Sequence, residues 1–163
     1  MAFWIFITCI IGIRLGECLL ARRNERWLLQ QGAVEYGQRH YPFMIALHTC
    51  FIVSMIVEYI LRGGTSYSLS WGIIFLLLLI CKGWVIATLG KFWNTKIYRA
   101  PRFSLIKAGP YKYVKHPNYL IVIAEIAVIP LIFHLYYTAV VFSVLNLCML
   151  YVRVKVENKA LRM

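Results

Sequence analysis

Carboxylates are scarce in this chain: six acidic residues, all glutamates, stand against eighteen lysines and arginines, for a formal net charge of +12. The five cysteines (Cys9, Cys18, Cys50, Cys81, Cys148) include no C-x-x-C pair and all fall inside apolar runs. Neither a zinc site nor a disulfide framework is therefore indicated, and they read as small packing residues. No G-x-G-x-x-G occurs, which excludes a cofactor held by a Rossmann domain. No nucleophilic triad is evident, nothing in the pattern calls for a metal, and low-complexity segments and internal repeats are lacking. The first apolar run has no basic leader and no small-x-small cleavage site, and it carries Arg14 and Glu17, so it reads as a retained helix and not a signal peptide.

What the chain has in quantity is apolar surface. Of its 163 residues 61% are hydrophobic, against about 45–50% in ordinary soluble domains. Its mean hydropathy is +0.70. Runs of about 20 apolar residues cross a bilayer as helices, and the candidates are 2–21, 41–61, 69–89 and a long stretch 119–152 broken near Pro130 and His134. These features predict an all-α integral membrane protein of five helices, the last two forming a hairpin with short arms. Residues 1–163 read as one membrane-embedded unit: helices 1–3 in 1–89, a polar connection 90–118, then the hairpin and tail 119–163.

The placement of the charge matters more than its size. Arg22, Arg23, Arg26 and Arg39 lie in 22–40; Lys91, Lys96, Arg99, Arg102, Lys107, Lys112 and Lys115 lie in 90–118; Arg153, Lys155, Lys159 and Arg162 lie in the tail. The intervening turns hold Arg62 alone. Five crossings put the three basic segments on one side, and the positive-inside rule makes that side the cytosol, with the N-terminus outside. The partner these cations imply is anionic membrane lipid, not nucleic acid.

Ionisable residues inside spans are costly and are expected to pair. Arg14 and Glu17, three apart, share a helical face. Lys82 and Glu125 both fall near the cytosolic face and are expected to pair between helices three and four, while Glu58, near the outer end of its helix, is expected to snorkel. Gly12 and Gly16 form a G-x-x-x-G, whose ordinary use is close helix packing and whose sharper use is a homodimer.

The connection 90–118 has no acidic residue, and Phe92, Trp93, Tyr98, Pro101, Phe103, Pro110, Tyr111 and Tyr113 make it aromatic and proline-rich. At its end stands "GPYKYVKHPNYLI" (109–121). Pro117 suits the first turn of a helix, where a missing N–H costs nothing. The free N–H groups and positive dipole end of that helix then form an anion site, ringed by His116, Asn118, Tyr119, Tyr111 and Tyr113. A plain interfacial belt of Tyr and Lys has the same composition. In the tail, Arg153 and Glu157 are four apart and share a helical face; alone they would be an exposed ion pair. Together the two elements offer a cation, a carboxylate and a helix N-terminus, which suits a zwitterionic, nucleoside-like cofactor.

The segment "SLIKAGPYKYVKHPNYL" (104–120), followed some thirty residues later by "RVKVENKAL" (153–161), resembles the isoprenylcysteine carboxyl methyltransferase family of integral membrane enzymes, in the form of a small bacterial-type member. Upstream "LGKFWNT" (89–95) is similar to the family's Leu-Gly-Arg/Lys-Phe-Trp stretch. The resemblance covers about the last 75 residues, carried by the pair His-Pro-x-Tyr and Arg-x-x-x-Glu. It implies S-adenosyl-L-methionine as cofactor and a bacterial cell membrane enzyme with its site on the cytosolic face. It places Ser104, Leu105, Ile106, Tyr111, His116, Pro117, Asn118 and Tyr119 around the cofactor, Glu157 as a cofactor-binding carboxylate and Arg153 as the arginine that orients the substrate. Phe103 stands where some members have histidine, Lys115 where arginine is usual and Asn158 where a second glutamate is common. The implied reaction is O-methylation of an anionic head on a lipophilic or lipidated substrate, either a prenylcysteine-like carboxylate or the acidic enol of a long-chain alkylpyrone. A membrane scaffold that binds acidic lipid without catalysis is the reading from another class.

Overall fold

The computed structural model describes residues 1–100 and 103–162, side chains excepted at 161 and 162. Pro101 and Arg102, counted above among the prolines and cations of the connection, and the side chain of Arg162, lie outside the described residues. Five helices run α1 (Ala2–Gln30), α2 (Tyr41–Leu61), α3 (Leu69–Leu89), α4 (Pro117–Leu131) and α5 (Tyr136–Arg162). Four of them are long and apolar enough to cross a membrane, and α4 is the shorter fifth. At 1.5 Å per residue α4 is about 22 Å long against a hydrocarbon core of about 30 Å, while α5 reaches about 40 Å and runs on beyond it. The chain is an integral membrane protein, and Leu15, Leu19, Val53, Val57, Leu76, Leu77, Ile80, Val140 and Val144 are exposed on the outside of its apolar helices, as a lipid surround requires.

The core forms where aromatic and branched side chains of α1, α2, α3, α4 and α5 converge: Phe3, Ile7 and Ile10 with Phe51, Met55, Phe75, Ile126, Ile129 and Phe142. At one end of the bundle Phe3 stacks on Tyr59 with ring centroids 3.8 Å apart and meets Phe133 edge-on at 5.1 Å. There the α2–α3 turn is tied to the α4–α5 turn, the Ser68 N–H donating to the Ile132 carbonyl (2.7 Å) and the Thr65 hydroxyl to the Phe133 carbonyl (2.6 Å). The start of α1 and these two turns thus share one end. The three basic segments meet at the other, as five antiparallel passes require.

Three expectations need correction. Helix α1 does not stop at residue 21 but continues to Gln30, so Arg22, Arg23 and Arg26 sit on helix and not in a loop. Good helix formers carry it on, and Asn24 anchors it by donating to the carbonyls of Trp93 (2.7 Å) and Gly90 (3.2 Å). The polar connections also contain a two-stranded ribbon, β1 (Val34–Tyr36) antiparallel to β2 (Ile97–Arg99), with Glu35 opposite Tyr98. Finally, Glu58 does not snorkel. It is 8% exposed, and its carboxylate accepts from the backbone N–H groups of Thr138 (2.8 Å) and Tyr137 (3.2 Å), capping the first turn of α5 from a neighbouring helix.

Arg14 and Glu17 pair at 2.9 Å and Lys82 and Glu125 at 2.8 Å, as expected. The two pairs also join, through Lys82–Glu17 at 2.7 Å and Arg14–Glu125 at 3.2 Å, into one network of two cations and two carboxylates. Nothing lies within 4 Å of a Cβ built on Gly12 or Gly16, so the G-x-x-x-G makes no close helix packing within the chain.

Candidate active site

The connection between α3 and α4 is held down at several points, which makes it a wall and not a tether. A 3-10 turn at Gly90–Phe92 follows α3, Trp93 is buried behind it, and a second 3-10 turn at Gly109–Lys112 packs back on α3. Gly109 has φ +51°, and a Cβ there would lie 2.6 Å from Thr88 Oγ1, so only glycine seats this turn against the helix. The ribbon is fixed by Lys96, whose Nζ lies 2.7 Å from Glu25 and 3.6 Å from Glu35, and by the Tyr98 hydroxyl, which donates to Glu25 at 2.5 Å. Burial favours the neutral amine of Lys96, but the hydrogen bond and charge of Glu25, with Glu35 behind it, outweigh that and hold its pKa above the usual lysine range.

Against this wall stand the start of α4 and the far part of α5. Pro117 occupies the first turn of α4, and His116 precedes it. The Tyr119 hydroxyl donates to Glu157 Oε2 and accepts from Arg153 Nε at 2.8 Å. The His116 ring stacks on Tyr119 with centroids 5.3 Å apart, its Nε2 lies 3.3 Å from Asn158 Oδ1, and its Nδ1 lies 3.6 Å from Glu157 Oε1. Arg153 is 6% exposed. Its Nη2 donates to the Thr95 carbonyl (2.6 Å), its Nη1 contacts Met44 Sδ (2.6 Å), and the guanidinium lies over the Tyr119 ring at 5.3 Å. A guanidinium has five N–H donors. Three are engaged here, one each on Nε, Nη1 and Nη2, so two are left without a partner among the described residues.

Three neighbouring cavities share walls along this surface. A groove of about 630 Å³ on the polar side is lined by Ser104, Leu105, Ile106, Tyr111, Lys115 and Glu157 among others. Next to it a cavity of about 110 Å³ is lined by Tyr111, His116, Asn118, Tyr119, Arg153 and Glu157, with Trp93, Lys96 and Tyr98 from the wall. Below, toward the apolar interior, a cavity of about 80 Å³ lies between Arg153, Asn118, Tyr119 and the ionic network of Arg14, Glu17 and Lys82. Burial, then the charge of Glu157, pushes the Tyr111 phenol pKa up, so it stays a neutral hydrogen-bonding hydroxyl.

A model of the isoprenylcysteine carboxyl methyltransferase (ICMT) family matches residues 71–163, more than half of the chain. The chain belongs to that family. The match takes in most of α3, the connection, α4 and α5, which supply most of the walls of the three cavities, while α1 and α2 add Arg14, Glu17, Leu28, Met44 and His48 from outside it. The chain is also similar along nearly its whole length to two bacterial proteins. It is 42% identical to the uncharacterized protein YpbQ of Bacillus subtilis (strain 168), over 98% of this chain and 96% of the relative. It is 32% identical to an uncharacterized protein of Haemophilus influenzae (strain ATCC 51907 / DSM 11121 / KW20 / Rd), over 96% and 93%. No solved structure matches.

Within this ICMT-family chain the expected site residues are brought together in part. His116, Asn118, Tyr119, Arg153 and Glu157 share one cavity with Tyr111. Ser104, Leu105 and Ile106 line the outer groove, which meets that cavity at Tyr111 and Glu157. Pro117 lines none of the three, being buried in the first turn of α4, where its contribution is to the backbone. Residues not singled out for the site by their pattern complete the walls: Trp93, Thr95, Lys96 and Tyr98 from the connection, and Met44 from α2. The "LGKFWNT" stretch was the available signal for Trp93 and Thr95. Nothing local marks Met44, because its place is set by how α2 packs on α5.

The family and the apolar helices support a methyltransferase-like activity at a membrane. The donor set suits a nucleoside bearing both charges. Glu157 and the Asn118 oxygen, the latter without a partner among the described residues, are acceptors, and the buried Trp93 Nε1–H, equally without a partner there, is a free donor. Stacked His116 and Tyr119 add aromatic surface beside them.

Proposed function

We propose that this protein is an S-adenosyl-L-methionine-dependent O-methyltransferase acting on the anionic head of a lipophilic acceptor. The basic end of the bundle and the active site then face the bacterial cytosol, as the distribution of Lys and Arg favours. The acceptor is a carboxylate of the prenylcysteine kind or the acidic enol of a long-chain alkylpyrone. The observation that carries this reading is the juxtaposition of Arg153, Tyr119 and Glu157 at one cavity that shares walls with the outer groove on one side and the inner cavity on the other.

Glu157, His116, Asn118, Tyr119, Tyr111 and the Ser104–Ile106 strip would hold the cofactor, and the residues present fit it. Bound there, it would supply a methyl group on a positively charged sulfur, which would keep the C–S electron pair and leave as a thioether when the acceptor's anionic oxygen took the methyl. An oxygen that is already ionised needs no general base. The chain's own part is alignment and exclusion of water. The two free N–H donors of Arg153 orient the acceptor by charge-assisted hydrogen bonds, and Tyr119 fixes the guanidinium relative to Glu157. The lipophilic tail remains among the helices while the head reaches Arg153.

Lipid extracts of cells with and without the protein test the reading. A lipophilic species heavier by one methyl group in the cells that carry the protein, with its unmethylated parent in those that lack it, is expected. Identical extracts would count against an acceptor of this class.

A further inference from the structure

Of the uncharged polar side chains buried in the bundle, Asn24 and Thr138 are satisfied. Asn24 donates to two backbone carbonyls, and Thr138 pairs with Ser54 at 2.9 Å. Asn146 is not. It is 2% exposed, and its Nδ2 has no hydrogen-bond partner among the described residues. Leaving such an amide unpaired in an apolar setting is costly, and the buried residues four positions either side on the same face, Phe142 and Leu150, are apolar. The residue lines the inner cavity of about 80 Å³ together with Arg153, Asn118, Trp93, Met149 and Leu150.

The order along α5 is Asn146, then Arg153, then Glu157. Asn146 and Arg153 are seven residues apart, two turns of the same face and about 10 Å along the axis. Helical side chains lean toward the N-terminus, so the guanidinium of Arg153 reaches back toward Asn146. Eleven residues, about 16 Å of rise, separate Asn146 from Glu157. Asn146 therefore lies on the far side of Arg153 from His116 and Glu157, where an acceptor's head would sit and the cofactor would not. Without a partner among the described residues, this inner cavity presents as donors the amide of Asn146, the indole N–H of Trp93 and two N–H groups of Arg153, and as acceptor Asn118 Oδ1.

We propose that Asn146 is the second polar anchor of the methyl acceptor, hydrogen-bonding an uncharged carbonyl oxygen of the head while Arg153 holds the ionised oxygen. Asn146 is on this account a specificity-determining residue, and the cavity selects heads with an anionic oxygen and a separate carbonyl over heads with a lone carboxylate. The inference rests on the acceptor role proposed for Arg153.

The test uses the full-length protein in detergent and two probes of similar tail length: 4-hydroxy-6-undecyl-2-pyrone, whose head has an enolate and a lactone carbonyl, and tetradecanoate, whose head has one carboxylate. Probe affinity is read by ligand-induced thermal shift, and methyl transfer is read as KM and kcat. Wild type is expected to favour the pyrone by about tenfold or more, the scale of one buried hydrogen bond. Asn146→Leu should weaken the pyrone about tenfold, chiefly in KM, and leave tetradecanoate and S-adenosylhomocysteine affinity unchanged. Asn146→Gln, which keeps the amide, should recover part of the loss. Retained S-adenosylhomocysteine binding shows that a variant is folded, and Asn146→Ser replaces the leucine variant if it is not.

Equal weakening of both probes, no change in either, or a wild type that does not prefer the pyrone overturns the proposal. Pyrone preference that depends on Asn146 without any methyl transfer would instead sink the methyltransferase reading and leave this one standing.

Discussion

Tyr119 on α4 hydrogen-bonds Glu157 on α5, 38 residues further along the chain, and the same hydroxyl receives Arg153 at 2.8 Å. One phenol thus couples the residue proposed to orient the acceptor to the carboxylate proposed to hold the cofactor. In Tyr119→Phe both partners lose a hydrogen bond in a largely enclosed place, a cost of about 1–3 kcal/mol at each buried group. The expected result is a folded protein with roughly tenfold weaker S-adenosylhomocysteine binding by isothermal titration and slower turnover. Unchanged affinity and turnover would show that Glu157 and Arg153 are placed without it.

The network of Arg14, Glu17, Lys82 and Glu125 balances two charges of each sign among apolar helices. Lys82→Met leaves two carboxylates to one cation, and breaking a buried pair in this way costs about 3–5 kcal/mol. Lys82→Met is therefore expected to lower the detergent melting temperature sharply. The double variant Lys82→Met, Glu125→Gln restores neutrality around Arg14–Glu17 and should recover most of the loss. A double variant no more stable than the single one would mean that geometry and not charge balance holds the four together.

Glu58 caps α5 from α2 at the end of the bundle remote from Arg153. Removing a helix cap costs about 0.5–2 kcal/mol, so Glu58→Ala should lower the melting temperature and leave S-adenosylhomocysteine affinity as it was. A fall in affinity comparable to that of a cavity variant would show coupling between the two ends of α5.

The bundle was legible because its signals are local. Runs of apolar residues mark α2 and α3 to the residue, Pro117 marks the start of α4, and Pro130 with His134 marks the turn. The extension of α1 to Gln30 was not, because a charged amphipathic helix leaving a membrane reads like a polar loop until Asn24 is seen docked on Gly90 and Trp93. The three-residue strands of the ribbon are too short to show a period. Spacing and resemblance single out Arg153, Glu157, His116, Asn118 and Tyr119, which line one cavity. They do not single out Asn146 and Met44, since a single Asn or Met in an apolar run carries no pattern and acquires meaning from what packs opposite. The cap made by Glu58 is hidden for the same reason: beside Arg62 at 3.8 Å, its hydrogen-bond partners are backbone N–H groups of another helix, invisible in a list of side chains.

The central claim is that the start of α4 and the far part of α5 enclose one cofactor, with Arg153 on its acceptor side. Titration of purified protein with S-adenosylhomocysteine tests this directly across wild type, His116→Ala, Glu157→Ala and Arg153→Ala. The account predicts micromolar binding by wild type, loss of binding in the His116 and Glu157 variants, and binding without turnover in the Arg153 variant. Wild-type affinity in both His116→Ala and Glu157→Ala would contradict it.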